Sequence, residues 1–311
     1  MRAAVVHQPG ATPVFEQFDD PQPGPGVAVG TLLAASLNPL DLAFVNNQFP
    51  VRLVQPPCIA GYEGVVELAD GTRRYVTAPP TPYGTLAELV PVSDADAFPV
   101  PDGLDPALAV ALGVAGLAGW MALDFRAHLQ PGETVLVLGA GGAAGRLALQ
   151  SARVLGADLV VGAARGKALE RAADSGADAV VDLADEQAID AGLAAAAPGG
   201  YDVIVDFLWG PAAPHAMNHA KFGARYIQVG SSAGVAAPII GAVLRNKVLT
   251  IVGLGQFAAP ADVRRAGYAK LVGHAVDGRF ALDLERTRLE DVSATWERLK
   301  AGASRKLVVT P

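Results

Sequence analysis

One cysteine, Cys58, is all the thiol chemistry this 311-residue chain has. That excludes an internal disulfide and any multi-cysteine zinc site, and it fits a reducing, cytoplasmic compartment. Following the dipeptide Pro56-Pro57, Cys58 reads as a small packed hydrophobe. The chain also lacks a lysine- or arginine-rich run: its net charge is -7, which excludes nucleic acid as an expected partner. Only 18% of residues are charged and 51% are hydrophobic, the opposite of a disordered composition. The opening MRAAVVHQPG has no apolar core of a signal peptide. Residues 106–123, PALAVALGVAGLAGWMAL, carry no charge and reach the roughly 18 residues of a spanning helix. Alanine and glycine dominate them, however, and no basic flank sets an orientation. They predict a helix buried between domains, and no membrane is expected.

At about 100–200 residues per domain, the length suggests two domains, each able to bury a core. Up to about residue 100, short apolar runs such as GVAVGTLLAAS (26–36), GYEGVVELAD (61–70) and TLAELVPV (85–92) are broken by proline and glycine. That spacing predicts a compact, mostly β domain. From residue 130 the rhythm changes to apolar runs alternating with alanine-rich helical stretches. The runs are TVLVL (134–138), LVVGAA (159–164), AVVDL (179–183), VIVDFL (203–208), RYIQVG (225–230) and LTIVGL (249–254). Helices are predicted over 146–155, 167–175 and 186–197 between them. Near-continuous apolar strands are buried on both faces, the habit of a parallel sheet covered by helices. The reading is therefore α/β, with a six-stranded, doubly wound parallel sheet. The C-terminal stretch adds a helix, ADVRRAGYAKLVGHAV, and a strand-like KLVVT that could return to the first domain.

The join after the first of these strands, TVLVLGAGGAAGRLALQ (134–150), has very little side chain. Gly139, Gly142 and Gly145 form G-x-x-G-x-x-G, with Gly141 as an extra. Either the turn is merely tight or a ligand must approach its main chain. Following the first strand and opening the first helix is the context of a dinucleotide fingerprint. Glycines admit a pyrophosphate to the backbone, and the helix N-terminus at Ala143 and Ala144 offers unpaired N–H groups and a positive dipole end. An NAD site ordinarily places an acid at the end of the second strand to accept from the ribose 2′-OH. Here that strand runs into GAARGK (162–167), with no acid and with Arg165 and Lys167 instead. A guanidinium there suits a 2′-phosphate, so NADPH is expected over NADH.

Several segments, in order, together resemble the medium-chain dehydrogenase/reductase superfamily in its zinc-free NADPH:quinone oxidoreductase-like branch. They are SLNPLD (36–41), GYEGVVE (61–67), TLAELVPV (85–92), VAGLAGWMAL (114–123), LQPGETVLVLGAGGAAG (129–145), YDVIVDF (201–207), GARYIQVGSSAG (223–234), LRNKVLTIVG (244–253) and SRKLVVTP (304–311). The resemblance implies a GroES-like, mostly β catalytic domain made from residues 1–112 and a returning segment 257–311. It also implies a Rossmann NADP-binding domain at 113–256 and a cofactor cleft between the two. Relatives often form homodimers by pairing their last Rossmann strands, here LTIVGL. Zinc-dependent members place a cysteine near LNPLD, a histidine where this chain has Tyr62, and a third ligand near VAGLAG; Leu37, Asn38 and Tyr62 do not supply that set. Two further departures bear on the substrate pocket. The tyrosine that many relatives carry after N-P-x-D is replaced by Ala43 or Phe44, and the threonine after G-L by Ala118.

By family match the catalytic candidates are Asn38, as an amide donor to substrate or ribose, Asp41 and Tyr62. Asn38 before a proline also suits a loop turn, Asp41 a helix cap, and Tyr62 a buried tyrosine with a satisfied hydroxyl. Cofactor contacts are expected at Gly139, Gly142, Ala143, Ala144, Gly145, Arg165 and Lys167, and at the Val229–Gly230–Ser231 turn. Gly230 would lie against the nicotinamide edge. Lys306 would either reach the cofactor or be solvated. The implied activity is hydride transfer from NADPH to a quinone or activated enone. An enoyl-thioester reductase and a non-catalytic NADPH-binding protein of the same fold are the alternatives. His215 and His219 stand four apart on a predicted helix, but with no glutamate between them and no third ligand in view they read as exposed helix histidines.

Overall fold

The computed structural model describes residues 1–48, 55–93 and 97–311. It divides into two compact units, one of Met1–Val114, Tyr268–Gly278 and Leu282–Pro311, the other of Ala115–Gly267 and Arg279–Ala281. Chain that begins in one unit thus returns late to complete it. The long helix Ala261–Val276 is shared, its last part belonging to the first unit.

In the first unit the alternating runs form two sheets among the described residues. A small one pairs Arg2–Val6 with Val14–Gln17 and Cys58–Ile59. In the larger one the ten-residue strand Val27–Ser36 is central, flanked by Glu63–Glu67 and Leu89–Ser93 and by the late strand Lys306–Thr310. Leu32, Val66, Val76, Leu86, Val90, Trp296, Leu307 and Val309 fill its core. The helix Pro39–Val45 opens straight after Val27–Ser36, with Asn38 as its N-cap in an extended conformation.

The second unit holds six parallel strands: Thr134–Leu138 (β1), Leu159–Ala164 (β2), Ala179–Asp182 (β3), Tyr201–Asp206 (β4), Ala220–Gln228 (β5) and Thr250–Gly253 (β6). Their order is β3-β2-β1-β4-β5-β6, the doubly wound Rossmann arrangement. The connecting helices include Ala143–Val154 (α1), Ala168–Asp174 (α2), Ile189–Ala196 (α3) and Ala212–Asn218 (α4). Every strand expected in this region is present. β5 starts five residues earlier than its apolar run, because Ala220 already pairs with Tyr201 of β4 before a register shift leads to the Val203–Arg225 pair. Winding reverses direction between β1 and β4, so the carboxyl ends of those strands open the crevice where such sheets bind ligands.

The uncharged stretch forms a helical run, Pro106–Ala127, long and apolar enough by composition to cross a membrane, yet 83% of its most apolar window is buried inside the protein. Gly113, at ψ -107°, breaks it. A Cβ at Gly113 would lie under 3.0 Å from Glu63 Oε2 and from the Tyr75 ring. The kink therefore brings main chain onto a buried carboxylate.

Candidate functional site

The expected site residues fall into two groups, each within its own unit: Asn38, Asp41, Tyr62 and Lys306 in the first, the glycine turn and its neighbours in the second.

In the first unit the group centres on a residue that motif reading passes over, Glu63. It is wholly buried on its strand. Its Oε1 accepts from Ser36 Oγ and from Asn38 Nδ2 (2.8 Å), and its Oε2 from Tyr75 OH (2.8 Å) and the Val114 N–H (2.7 Å). A buried carboxylate survives only with partners of this kind. The Lys306 ammonium lies 3.8 Å from Oε1 and donates to Leu37 O (3.1 Å) and to Asn38 Oδ1. Burial lowers the Lys306 pKa, while the charges of Glu63 and Asp41 oppose that shift. Burial likewise pushes the Tyr75 hydroxyl well above its usual range, and its ring stacks on Tyr268 at 4.5 Å.

Two expectations are corrected here. Asn38 does not present a free amide: Nδ2 is directed at Glu63 and, at 3.4 Å, at Ser36 Oγ, while Oδ1 accepts a hydrogen bond from Lys306 Nζ. Lys306 is not solvated: at 7% exposure its ammonium donates to Leu37 O and Asn38 Oδ1 and lies beside Glu63 Oε1. Asp41 completes a reciprocal cap. Its Oδ2 accepts the Asn38 N–H (2.7 Å) and its Oδ1 the Tyr62 N–H (2.9 Å). Burial pushes the Asp41 carboxyl up to about 6. The Asn38 N–H bond opposes, the Glu63 charge adds, and Lys306 and the Tyr62 N–H oppose. Tyr62 is buried with its ring stacked on Phe44 at 5.0 Å. Phe44 thus serves as packing for Tyr62.

In the second unit the N–H groups of Gly139 and Ala140 both donate to Ala163 O, at 2.9 and 3.1 Å, which turns the chain sharply at the end of β1. Gly139 has φ +83°, a conformation side chains resist. A Cβ at Gly145 would lie under 3.0 Å from Gly139 O, and one at Gly141 under 3.0 Å from Ala168. These three glycines are demanded by the protein's own backbone. Gly142 is different. It is the N-cap of the twelve-residue α1 at φ -79°, and a Cβ there would meet only Gly139 O, at 3.6 Å. The fold would accept a side chain at this position. The N–H groups of the first turn, at Ala143, Ala144 and Gly145, have no carbonyl one turn earlier to bond. A bare helix N-terminus fronted by a glycine that the protein does not itself require fits the phosphates of a dinucleotide.

At the end of β2, Arg165 and Lys167 are exposed, and Arg165 Nε donates to Leu183 O (2.9 Å), just beyond β3. A further arginine, Arg171 on α2, does not stand out from sequence. Its Nε donates to Gly141 O (3.1 Å), on the glycine turn itself. Only its spacing of one helical turn from Lys167 could have suggested it.

At the ends of β4 and β5, Asp206 O accepts the Val229 and Gly230 N–H groups (2.8 and 3.1 Å), and Phe207 O accepts from the Ser232 hydroxyl (3.0 Å). A Cβ at Gly230 would lie 2.8 Å from Phe207 O, so the main chain of β4 already requires this glycine, whatever lies on its other side. The Asp206 carboxyl, buried and thereby raised in pKa, accepts the Leu208 and Trp209 N–H groups (2.7 and 2.9 Å) and the Tyr226 hydroxyl. It holds Trp209 at φ +56°, rare for a bulky residue. His215 and His219, expected to be exposed, are about four-fifths buried and both bond one carboxylate, Asp190, at 3.0 Å.

Comparison with known proteins agrees with this architecture. The family described as "Zinc-binding dehydrogenase" matches residues 143–267. A "Probable quinone oxidoreductase" of Leishmania amazonensis is 27% identical over 63% of this chain and 59% of its own length. A phenolphthiocerol/phthiocerol polyketide synthase polypeptide of Mycobacterium tuberculosis is 26% identical over 97% of this chain but 14% of its own. The chain thus covers only part of the length of these relatives. The solved quinone oxidoreductase of Thermus thermophilus, studied also in complex with NADPH, is 27% identical, superposes with a TM-score of 0.82 and is covered in full, as is this chain. These matches support a place in the medium-chain dehydrogenase/reductase superfamily, near its quinone oxidoreductases. Its first unit is GroES-like and its second is the Rossmann domain. That likeness suggests a nicotinamide cofactor, which the glycine turn fits. Among the described residues no three His, Cys, Asp or Glu side chains are grouped to hold a metal, short of the three ligands catalytic zinc takes.

Proposed function

We propose that this chain transfers a hydride from NADPH to a quinone or activated enone without a metal ion. The observation that carries the reading is Gly142, a glycine at an open helix N-terminus that nothing inside the protein requires. The end of β2 carries no acid where an NAD site has one, and the crossover that follows it is basic, which favours the phosphorylated coenzyme. NADPH, when bound, supplies the reactive C–H bond at C4 of its nicotinamide ring. The α1 N-terminus holds the diphosphate. The Asp206-pinned turn and the Val229–Ser231 turn form a rigid floor at the ends of β4 and β5. In the GroES-like unit, Glu63, Asn38 and Lys306 act as an internal brace, and Asp41 fixes the Tyr62 main chain. With the polar groups of that brace committed to one another, the proton that accompanies hydride transfer comes from water.

The match over nearly the whole chain to part of a polyketide synthase supports a second reading, reduction of an enoyl thioester. Incubating purified protein with NADPH and either a quinone panel or enoyl thioesters, while following loss of NADPH absorbance, decides between them. Binding of NADPH without turnover on either panel would instead mark a non-catalytic binder. β6 pairs on one side only among the described residues, which supports an edge-paired homodimer.

A further inference from the structure

We propose that Arg171, and not Arg165, is the guanidinium that reads the phosphate monoester on the adenosine ribose; this rests on the NADPH reading above. Both arginines belong to the crossover after β2, but they lean in opposite directions across the sheet. Arg165 commits its Nε to Leu183 O, on the side of β3, the outer edge strand. Arg171 commits its Nε to Gly141 O, on the side of β1, where the glycine turn receives the dinucleotide.

The main chain that carries Arg171 is held on both sides. The missing Cβ of Gly141 lets Ala168 seat the start of α2 directly on the turn. At the other end, the Arg171 carbonyl accepts from Ser175 Oγ (2.7 Å), and that oxygen in turn accepts from Arg146 Nε on α1 (2.8 Å). With Nε fixed on the turn, the two Nη groups make no hydrogen bond or ion pair among the described residues. They form a planar fork of N–H donors, the geometry that matches phosphate oxygens in pairs. The diphosphate is already provided for by the α1 N-terminus. The ribose 2′ substituent is the group ordinarily met from the end of β2, the strand that leads into α2.

The test is calorimetric titration of wild type, R171A, R171K and R165A with NADPH, NADH, 2′,5′-ADP and 5′-ADP. R171A is expected to weaken NADPH and 2′,5′-ADP by roughly 10- to 100-fold, the loss typical of hydrogen bonds to a charged group, and to leave NADH and 5′-ADP within about threefold. R171K, which keeps the charge but not the fork, should fall between. R165A should shift all four ligands by less than about threefold. Equal weakening of NADH and NADPH in R171A would reduce Arg171 to a prop for the turn and overturn the proposal. So would a 2′-phosphate preference that survives R171A and is lost in R165A. Should wild type bind NADPH no tighter than NADH, the coenzyme reading itself fails and takes this inference with it. That result differs from the others because it appears before any substitution is made.

Discussion

The two units treat their polar groups in opposite ways. In the GroES-like unit, charged and amide groups are turned on one another: Glu63 receives four donors, and Lys306 and Asn38 close the ring. In the Rossmann unit the N–H groups at the start of α1 face a position from which even a Cβ has been removed. The contrast separates two kinds of unusual residue. A buried charge with all its partners inside is architecture. A glycine that the fold does not need is an address for something outside it.

The largest break in that comparison comes at Glu63. Glu63→Ala strands the Tyr75 hydroxyl, the Val114 N–H, the Asn38 amide and the Lys306 ammonium in a buried space. Breaking a buried charge network typically costs about 3–5 kcal/mol, and urea denaturation should show a loss of that size. Stability within about 0.5 kcal/mol of wild type would mean that the ring is not architecture.

Asp41 sharpens the same unit through pH. Its carboxyl titrates near 6 in the folded chain against 3.8 ordinarily, so the folded state holds its proton more tightly. The stability this adds is complete below about pH 4 and is lost as pH rises through about 6. A shift of about two units is worth up to about 3 kcal/mol. Between pH 7 and pH 4, wild type should therefore gain on Asp41→Asn by up to that amount in denaturation midpoints converted to free energy. Parallel profiles for the two proteins would place the Asp41 pKa at its ordinary value.

In the Rossmann unit, Gly142→Val tests the other half of the contrast. The backbone at φ -79° accepts a branched residue and a Cβ there meets only Gly139 O, at 3.6 Å, so the fold should be kept, with stability lowered only by the poorer N-cap. NADPH affinity should fall at least about 100-fold, or about 2.8 kcal/mol, because the side chain takes the phosphate's place. Gly145→Val is the control that should instead fail to fold, since its Cβ would run into Gly139 O. Unchanged coenzyme affinity in Gly142→Val would remove the main support for the nucleotide site.

The same contrast explains what can be read from the chain alone. The six strands, their alternation with helices and the glycine turn are local patterns, and strand runs such as TVLVL and LVVGAA coincide with β1 and β2 residue for residue. Roles that depend on distant partners are not legible. Asn38 before Pro39 looks the same whether its amide faces a ligand or Glu63, 25 residues on. Lys306 meets Asn38 across 268 residues of sequence, a pairing no spacing rule supplies. Sequence suggests that Gly230 is small for a ligand's sake, whereas the main chain of Phe207 asks for it first. Arg165 announces itself as the first cation after β2, whereas Arg171 becomes visible only once α2 is seen lying on the glycine turn.

Tyr226→Phe gives the smallest expected effect and places a limit on the contrast, because Asp206 is a buried carboxylate inside the open unit. Its Oδ2 would lose the tyrosine proton, while Oδ1 keeps the Leu208 and Trp209 N–H groups. A hydrogen bond to a charged group is worth about 1.5–3 kcal/mol, and retention of the two main-chain donors argues for the lower end of that range. Tyr226 packs its ring edge-on against Trp209, so the turn after β4 should loosen without moving Gly142. Denaturation should therefore register the change while NADPH affinity stays within about threefold. If affinity instead falls as far as in Gly142→Val, the floor at β4 and the glycine turn form one coupled site, and the division between internal brace and external address runs through the Rossmann unit as well as between the two.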